Sequence, residues 1–269
     1  MKKSPRYAIH RVNHEGVHRL NDAISTEAPL EITISVKGRQ DVQQMSLSIT
    51  MRTPGHDTDL AMGFLYTEGI ISSLSDVKHV TERDNKIELT LDDKVDFDKD
   101  KLSRHFYTSS SCGICGKGSI EAIRPLVKNT GFKDFSVESQ VLRQLPATLG
   151  SEQGGYHETG ALHAAALFDV SGALIGMRED VGRHNALDKL IGAHLDADLS
   201  MALLLLSGRV SFELVHKAVV AGIPCIAAIG APSTLAIDTA EAYDVTLVGF
   251  LKKEGYNCYH GIDRIHHEA

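Results

Sequence analysis

The sequence predicts an α/β protein: a smaller β-rich α+β part comes first, and a mixed sheet covered by helices follows. Three observations carry this prediction. Up to about residue 105 the apolar residues recur mainly at every second position, the period of a strand. From about residue 135 strands and helices alternate in the order α-β-β-α-β-α-β-α-β. The chain has 269 residues, 42% hydrophobic and 23% charged, which is the make-up of a globular protein able to bury a core. The change of rhythm divides it into a first domain at 1–107, a linking segment at 108–135 and a second domain at 136–269.

Each element has its own signal. Residues 31–36 and 44–50 alternate strictly and read as strands, with Lys37, Gly38 and Arg39 early in their connection. Pro54 and Gly55 end the second strand. Asp57 or Thr58 caps a helix over 59–68 that places Leu60, Phe64 and Leu65 on one side. Residues 78–91 form a hairpin turning at Asp84 and Asn85, and 92–101 is a charged connector. In the second half, 137–149 is a helix, and 161–168 and 173–177 are strands joined by the turn 169–172. Residues 184–195 form an amphipathic helix with Leu187, Leu190 and Ile191 at helical spacing. The continuous apolar run 201–206 reads as a strand buried on both faces. A helix at 212–221, a strand at 224–229, a helix at 234–243 and a strand at 245–250 complete the order.

Composition excludes several roles. A net charge of −7 argues against a surface that coats nucleic acid or an anionic membrane. The longest apolar stretch, 218–232, is interrupted by Gly222, Pro224 and Gly230 and is too short for a membrane span. The basic N-terminus has no apolar run after it, so a cytoplasmic chain is expected. Four cysteines, at 112, 115, 225 and 258, do not make a disulfide scaffold in a chain this long.

Two of them form a Cys-x-x-Cys pair, Cys112 and Cys115. Thr108 and three serines precede the pair, and Gly113, Gly116 and Gly118 surround it. This predicts an exposed, mobile loop in which Lys117 helps to ionise a thiol. Spacing alone leaves three chemistries open. A structural zinc needs four ligands, and Cys225 and Cys258 do not form a second pair; Cys225 lies within an apolar strand. A thioredoxin-like dithiol normally opens a helix, whereas this pair is flanked by glycines. A persulfide carrier needs an exposed thiolate able to reach a donor and an acceptor in turn. Two reduced surface thiols without a role are the bland counterpart.

Charge and small residues gather at three β–α junctions. Residues 177–185 hold Arg178, Glu179, Asp180, Arg183 and His184, with Asn185 after them. Arg178 and Arg183 suit phosphate, and Asp180 or the His184-Asn185 pair offers capping groups. Ser207, Gly208, Arg209 and Ser211 make the next junction, and residues 230–234 the third. Together they suggest a pocket for a phosphorylated or nucleotide-bearing ligand, against the plainer reading of capped helices with solvated ion pairs. No Walker A loop or dinucleotide fingerprint is present. His163, in a small apolar strand, is equally a site residue or a satisfied core histidine.

These segments resemble the formate dehydrogenase accessory sulfurtransferase family. The resemblance runs from about residue 28 to 265. It rests on residues 51–55, 60–65 with 68–71, 110–117, Thr159 and Gly160 with His163, 178–189, 207–213, Ala231 with Pro232, and 247–250. It implies a cytidine-deaminase-like second domain. It also implies a homodimer in which Cys112 takes sulfur as a persulfide from a cysteine desulfurase, with Cys115 assisting. The sulfur goes to the molybdenum bis(molybdopterin guanine dinucleotide) cofactor, which is delivered to formate dehydrogenase. The family's cofactor segment corresponds here to Phe250, Leu251, Lys252, Lys253, Glu254 and Gly255. His163, Arg178, Arg183, Asn185, Ser207, Arg209 and Ser211 are the further expected cofactor contacts, and no zinc is expected, because the deaminase zinc signature is absent. Three positions depart from the family's habit: Lys37 for Asn, Ala161 for Gly and Lys252 for Arg. Lys lacks the fork with which Arg grips phosphate. The competing class is a binding module that holds the cofactor while Cys112 ligates the metal; a zinc-dependent hydrolase is the enzyme alternative.

Overall fold

A computed structural model describes residues 4–37, 42–95, 132 and 134–267. Cys112, Cys115, Lys117, Gly38, Arg39 and most of the linking segment lie outside the described residues.

The chain opens with a hairpin that its sequence pattern does not announce, β1 (Arg6–Asn13) against β2 (Gly16–Ala23). Both strands are largely exposed; Ile9 and Leu20 are half-buried and only Ala23 is buried, so burial leaves no alternating signal to read. Then come β3 (Ala28–Lys37) and β4 (Val42–Arg52), helix α1 (Asp57–Thr67), and the hairpin β5 (Val77–Arg83) and β6 (Lys86–Leu91). They form a four-stranded sheet in the order β4-β3-β6-β5, with β3 and β6 parallel and the outer pairs antiparallel. Leu30, Ile32, Ile34, Ile87 and Leu89 are buried against Leu60 and Leu65 of α1. The α1 cap differs from expectation. His56, at φ 58°, is the residue before the helix, because Arg52 holds the Asp57 carboxylate at 2.7 and 3.0 Å and Thr58 donates to Glu82.

The second half contains β7 (Val137–Glu138), α2 (Ser139–Glu152), α3 (Gly154–Thr159), β8 (His163–Phe168), β9 (Leu174–Asp180) and α4 (Arg183–Gly192). After these come β10 (Leu203–Leu206), α5 (Phe212–Val220), β11 (Cys225–Ala228), α6 (Thr234–Ala242), β12 (Thr246–Lys252), β13 (Gly255–His260) and β14 (Ile265–His266). Six strands form one mixed sheet in the order β13-β12-β11-β10-β8-β9, in which β10, β11 and β12 run parallel and the other pairs antiparallel. β10 is buried on both faces, as its unbroken leucines require: Leu204 and Leu206 meet the layer of α4, α5 and α6, and Leu203 and Leu205 meet the side of α2. Burying each such leucine contributes about 1.5–3 kcal/mol.

Four differences from the sequence reading have physical causes. β9 continues to Asp180 rather than ending at 177, since the charged residues 178–180 pair in register with the start of β8. Residues 137–138 form a short strand beside β14 instead of helix, and α4 ends at Gly192 instead of 195. The strands β13 and β14 and the short α3 are additional; β13 pairs antiparallel with β12 and carries exposed or half-buried polar residues. No helix among the described residues is long and apolar enough to cross a membrane.

The two sheets are joined by helices. Gly63 of α1 lies so close to α4 that a Cβ there would stand 1.9 Å from the Asp188 carbonyl oxygen, and a Cβ on Gly192 would stand 1.9 Å from that of Asp59. Side by side with this crossing, Lys217 of α5 reaches Asp188 of α4 at 2.9 Å and the Thr67 hydroxyl of α1 at 2.8 Å. Tyr66 and Leu195 pack against both the helix-layer core and the four-stranded-sheet core.

Candidate functional site

β10, β11 and β12 run parallel, so their C-terminal ends lie at one end of the sheet; antiparallel β8 starts there and β9 ends there. The three junctions singled out in the sequence are therefore neighbours. Their loops touch through main chain: Gly230 N donates to Gly208 O at 3.1 Å, Val210 N to Ala231 O at 3.0 Å, Ser233 N to Val210 O at 3.0 Å and Phe250 N to Gly230 O at 3.1 Å. A Cβ on Gly230 would stand 2.7 Å from Gly208 O, so glycine permits this approach. Crevices at such strand ends are where open α/β sheets place ligands.

Helices α4, α5 and α6 all begin at this end, and α4 and α5 begin without a side-chain cap. Their first-turn N–H groups and positive dipole ends are left to face it. Only α6 is capped in the ordinary way, by Ser233 accepting from Ala236 N. The α4 capping expectation is corrected: Gly182 is the residue before the helix, and neither Asp180, His184 nor Asn185 caps it. Asp180 instead accepts from Gly182 N at 2.8 Å and so shapes the turn.

The expected site residues divide into two groups. His163 stands over Gly208 at this sheet end, the place we call the crevice, and a Cβ on Gly208 would meet its Nδ1 at 3.1 Å. Burial, and after it the nearby Arg183, His184 and Arg209, pull its imidazole below the ordinary histidine value. Arg183 is half-buried and Arg209 exposed. His184 Nε2 meets Ser211 Oγ at 3.2 Å and Glu213 Oε2 at 2.8 Å, and this bond holds the Glu213 carboxyl below its usual range. Phe250 is 46% exposed and adopts φ 53°, a left-handed backbone that costs a bulky residue energy. Lys252, Lys253 and Glu254 are exposed in the tight β12–β13 turn, where Lys252 pairs with Gly255.

The second group serves the fold. Arg178 gives Nε and Nη2 to Asp59 of α1, at 3.1 and 2.8 Å. Asn185 is buried; it donates to Met51 O at 2.8 Å and to Asp180 at 3.2 Å, and accepts from Thr50 at 3.1 Å. Ser207 Oγ accepts from Ala164 N at 2.8 Å, extending the β8–β10 ladder. Leu251 is 1% exposed within the core. Sequence reasoning missed Thr53, Asp180 as a turn-former, and Lys189. Lys189 showed only as a charge within helix periodicity, which surface residues share; Thr53 in the β4–α1 loop and Asp180 at the end of β9 carried no periodic signal.

Cys225 is buried, and burial pushes its thiol far up, the condition of an inert cysteine; burial also raises Cys258. Among the described residues no group of three His, Cys, Asp or Glu side chains is placed to hold a metal ion. A polar cavity of about 270 Å³ lies in the other sheet, lined by Gln44, Thr81, Arg83, Lys86 and Glu88.

Residues 26–266 match the model of the FdhD/NarQ family. The chain belongs to that family. It is 41% identical to the sulfur carrier protein FdhD of Streptomyces coelicolor, an alignment covering 97% of this chain and 95% of the relative. It is 43% identical to that of Sulfolobus acidocaldarius over 91% of both chains. In fold it resembles the crystal structure of a formate dehydrogenase accessory protein from Desulfotalea psychrophila, with a TM-score of 0.73 at 20% identity over 98% of this chain and 99% of that one. The matched region contains every crevice residue and leaves the β1–β2 hairpin outside it.

Proposed function

We propose that the chain is a sulfur carrier for formate dehydrogenase, in which Cys112 takes sulfur from a cysteine desulfurase and hands it to the molybdenum bis(guanine dinucleotide) cofactor. The observation that carries this reading is membership of a family whose relatives at about 40% identity are named sulfur carriers, in a chain that keeps a cysteine pair in a hydroxyl- and glycine-rich setting. The Cys112 thiolate attacks the outer sulfur of the desulfurase persulfide, the desulfurase cysteine leaves as a thiolate, and the sulfur stays on Cys112. Lys117 favours the thiolate, and Cys115 assists.

The crevice is the place proposed for the nucleotide part of the cofactor, which is cargo here. Arg183 and Arg209 offer charge, α4 and α5 offer uncapped N–H groups, and His163 and Ser211 offer polar atoms. Exposed Phe250 offers an aromatic face, and Lys252 and Lys253 extend the positive rim. We further read residues 136–269 as a cytidine-deaminase-like domain, supported by the succession α2-α3-β8-β9-α4-β10-α5-β11-α6-β12; the chain as a homodimer; and its place as the cytoplasm. Its contribution is transfer of sulfur rather than zinc-dependent hydrolysis.

The reading is tested in cells lacking their own carrier. Expression of this chain should restore formate dehydrogenase activity, Cys112→Ala should abolish the rescue, and Cys115→Ala should reduce it. Full rescue by Cys112→Ala would refute the carrier role. For the crevice, Arg183→Ala and Arg209→Ala should each weaken GDP binding about tenfold, as loss of a charged hydrogen bond does. Binding unchanged by Lys252→Ala and Lys253→Ala together would remove the β12–β13 turn from the site.

A further inference from the structure

Two segments far apart in the sequence, residues 51–55 and 178–189, meet in a buried joint beside the start of α4. Asp180 is fully buried, and its carboxylate accepts from four donors: Thr53 N at 3.0 Å, Lys189 Nζ at 2.6 Å, Gly182 N at 2.8 Å and Asn185 Nδ2 at 3.2 Å. Lys189, itself 1% exposed, also donates to Thr53 O at 2.7 Å. The Thr53 hydroxyl accepts from Val181 N at 3.0 Å. Thr53, in the loop between β4 and α1, thus holds the end of β9, the turn after it and α4 by one bond each.

That turn is what presents the crevice wall. Arg183 is the residue after Gly182, the uncapped N–H groups of α4 follow it, and Asp180 is paired in register with His163. We infer that Thr53, Asp180 and Lys189 are positioning residues: the first part of the chain sets, through this joint, the geometry with which the crevice receives its anionic ligand. Ligand affinity and closure of the joint are then thermodynamically linked, so weakening one weakens the other. The inference rests on the crevice reading above for the ligand, but its structural half stands without it.

A matched pair of isosteric substitutions isolates the effect. Thr53→Val removes the acceptor for Val181 N and keeps the main-chain bonds. Thr67→Val removes a comparably buried hydroxyl from the other joint, beside Asp188 and Lys217, away from the crevice. Calorimetric titration of the full chain with GDP, and amide hydrogen exchange, are measured on both and on Thr53→Ser. Thr53→Val should raise the GDP Kd about fivefold and speed exchange over residues 181–186. Thr53→Ser should restore both values, and Thr67→Val should lower Tm while leaving both unchanged. Parental exchange and affinity in Thr53→Val would overturn the inference, as would equal losses in Thr67→Val. If the parent chain fails to bind GDP, the crevice reading falls, and the exchange comparison alone decides the joint.

Discussion

Arg178, Arg183 and Arg209 look alike in the sequence and differ in the fold. Arg178 spends its guanidinium on Asp59, whereas Arg183 and Arg209 stand about His163 and pull its imidazole down after burial has done so. A residue's type was legible; its partner across a hundred positions was not, which is why Asn185 reads as a ligand contact and is held inside the fold. Glycine was legible only as a loop former, yet Gly63 and Gly192 let two helices touch. Gly63→Ala or Gly192→Ala should each cost about 3 kcal/mol or more, measured by urea unfolding, because backbone is what a new Cβ meets. Asp244 carries a testable acid dependence. Its hydrogen bonds with Arg264 and His260 hold its carboxyl below the ordinary 3.8. A depressed carboxylate stabilises the fold above its unfolded value and loses that contribution as pH falls through the folded one. Asp244→Asn should therefore lower Tm at neutral pH and flatten the fall of Tm below about pH 4, modestly because the side chain is half-exposed.

At the scale of elements, periodicity located the strands and helices that bury a face. β10, β11 and β12 with α4, α5 and α6 stand where apolar spacing put them, displaced by a few residues at their ends. Elements without such a face left no mark: β1, β2 and β13 are exposed or half-buried along most of their length, and α3 is a single short turn held by Glu179 accepting from Gly155 N and Tyr156 N. The β1–β2 hairpin buries little and lies outside the family match. Deleting residues 1–23 should lower Tm by less than about 4 °C and leave unfolding cooperative. A larger loss would show that the hairpin is structural to the core.

For the whole molecule, the net charge of −7 argued against binding polyanions, and the fold reconciles that with a compact anionic ligand by collecting a few cations and helix N-termini at one sheet end. GDP affinity should consequently fall as salt rises from low to physiological ionic strength. That the three β–α junctions share one end was legible from strand order alone; that the first part of the chain braces this end through Thr53, Asp180 and Lys189 was not, because tertiary contacts between distant segments have no period. The carrier chemistry itself rests on Cys112, and mass spectrometry of the folded chain tests it most directly. After incubation with a cysteine desulfurase and cysteine, the account predicts one added sulfur atom on the peptide containing Cys112, removable by a thiol reductant and absent from Cys112→Ala. A Cys112 peptide of unchanged mass, with the desulfurase active in the same tube, would contradict it.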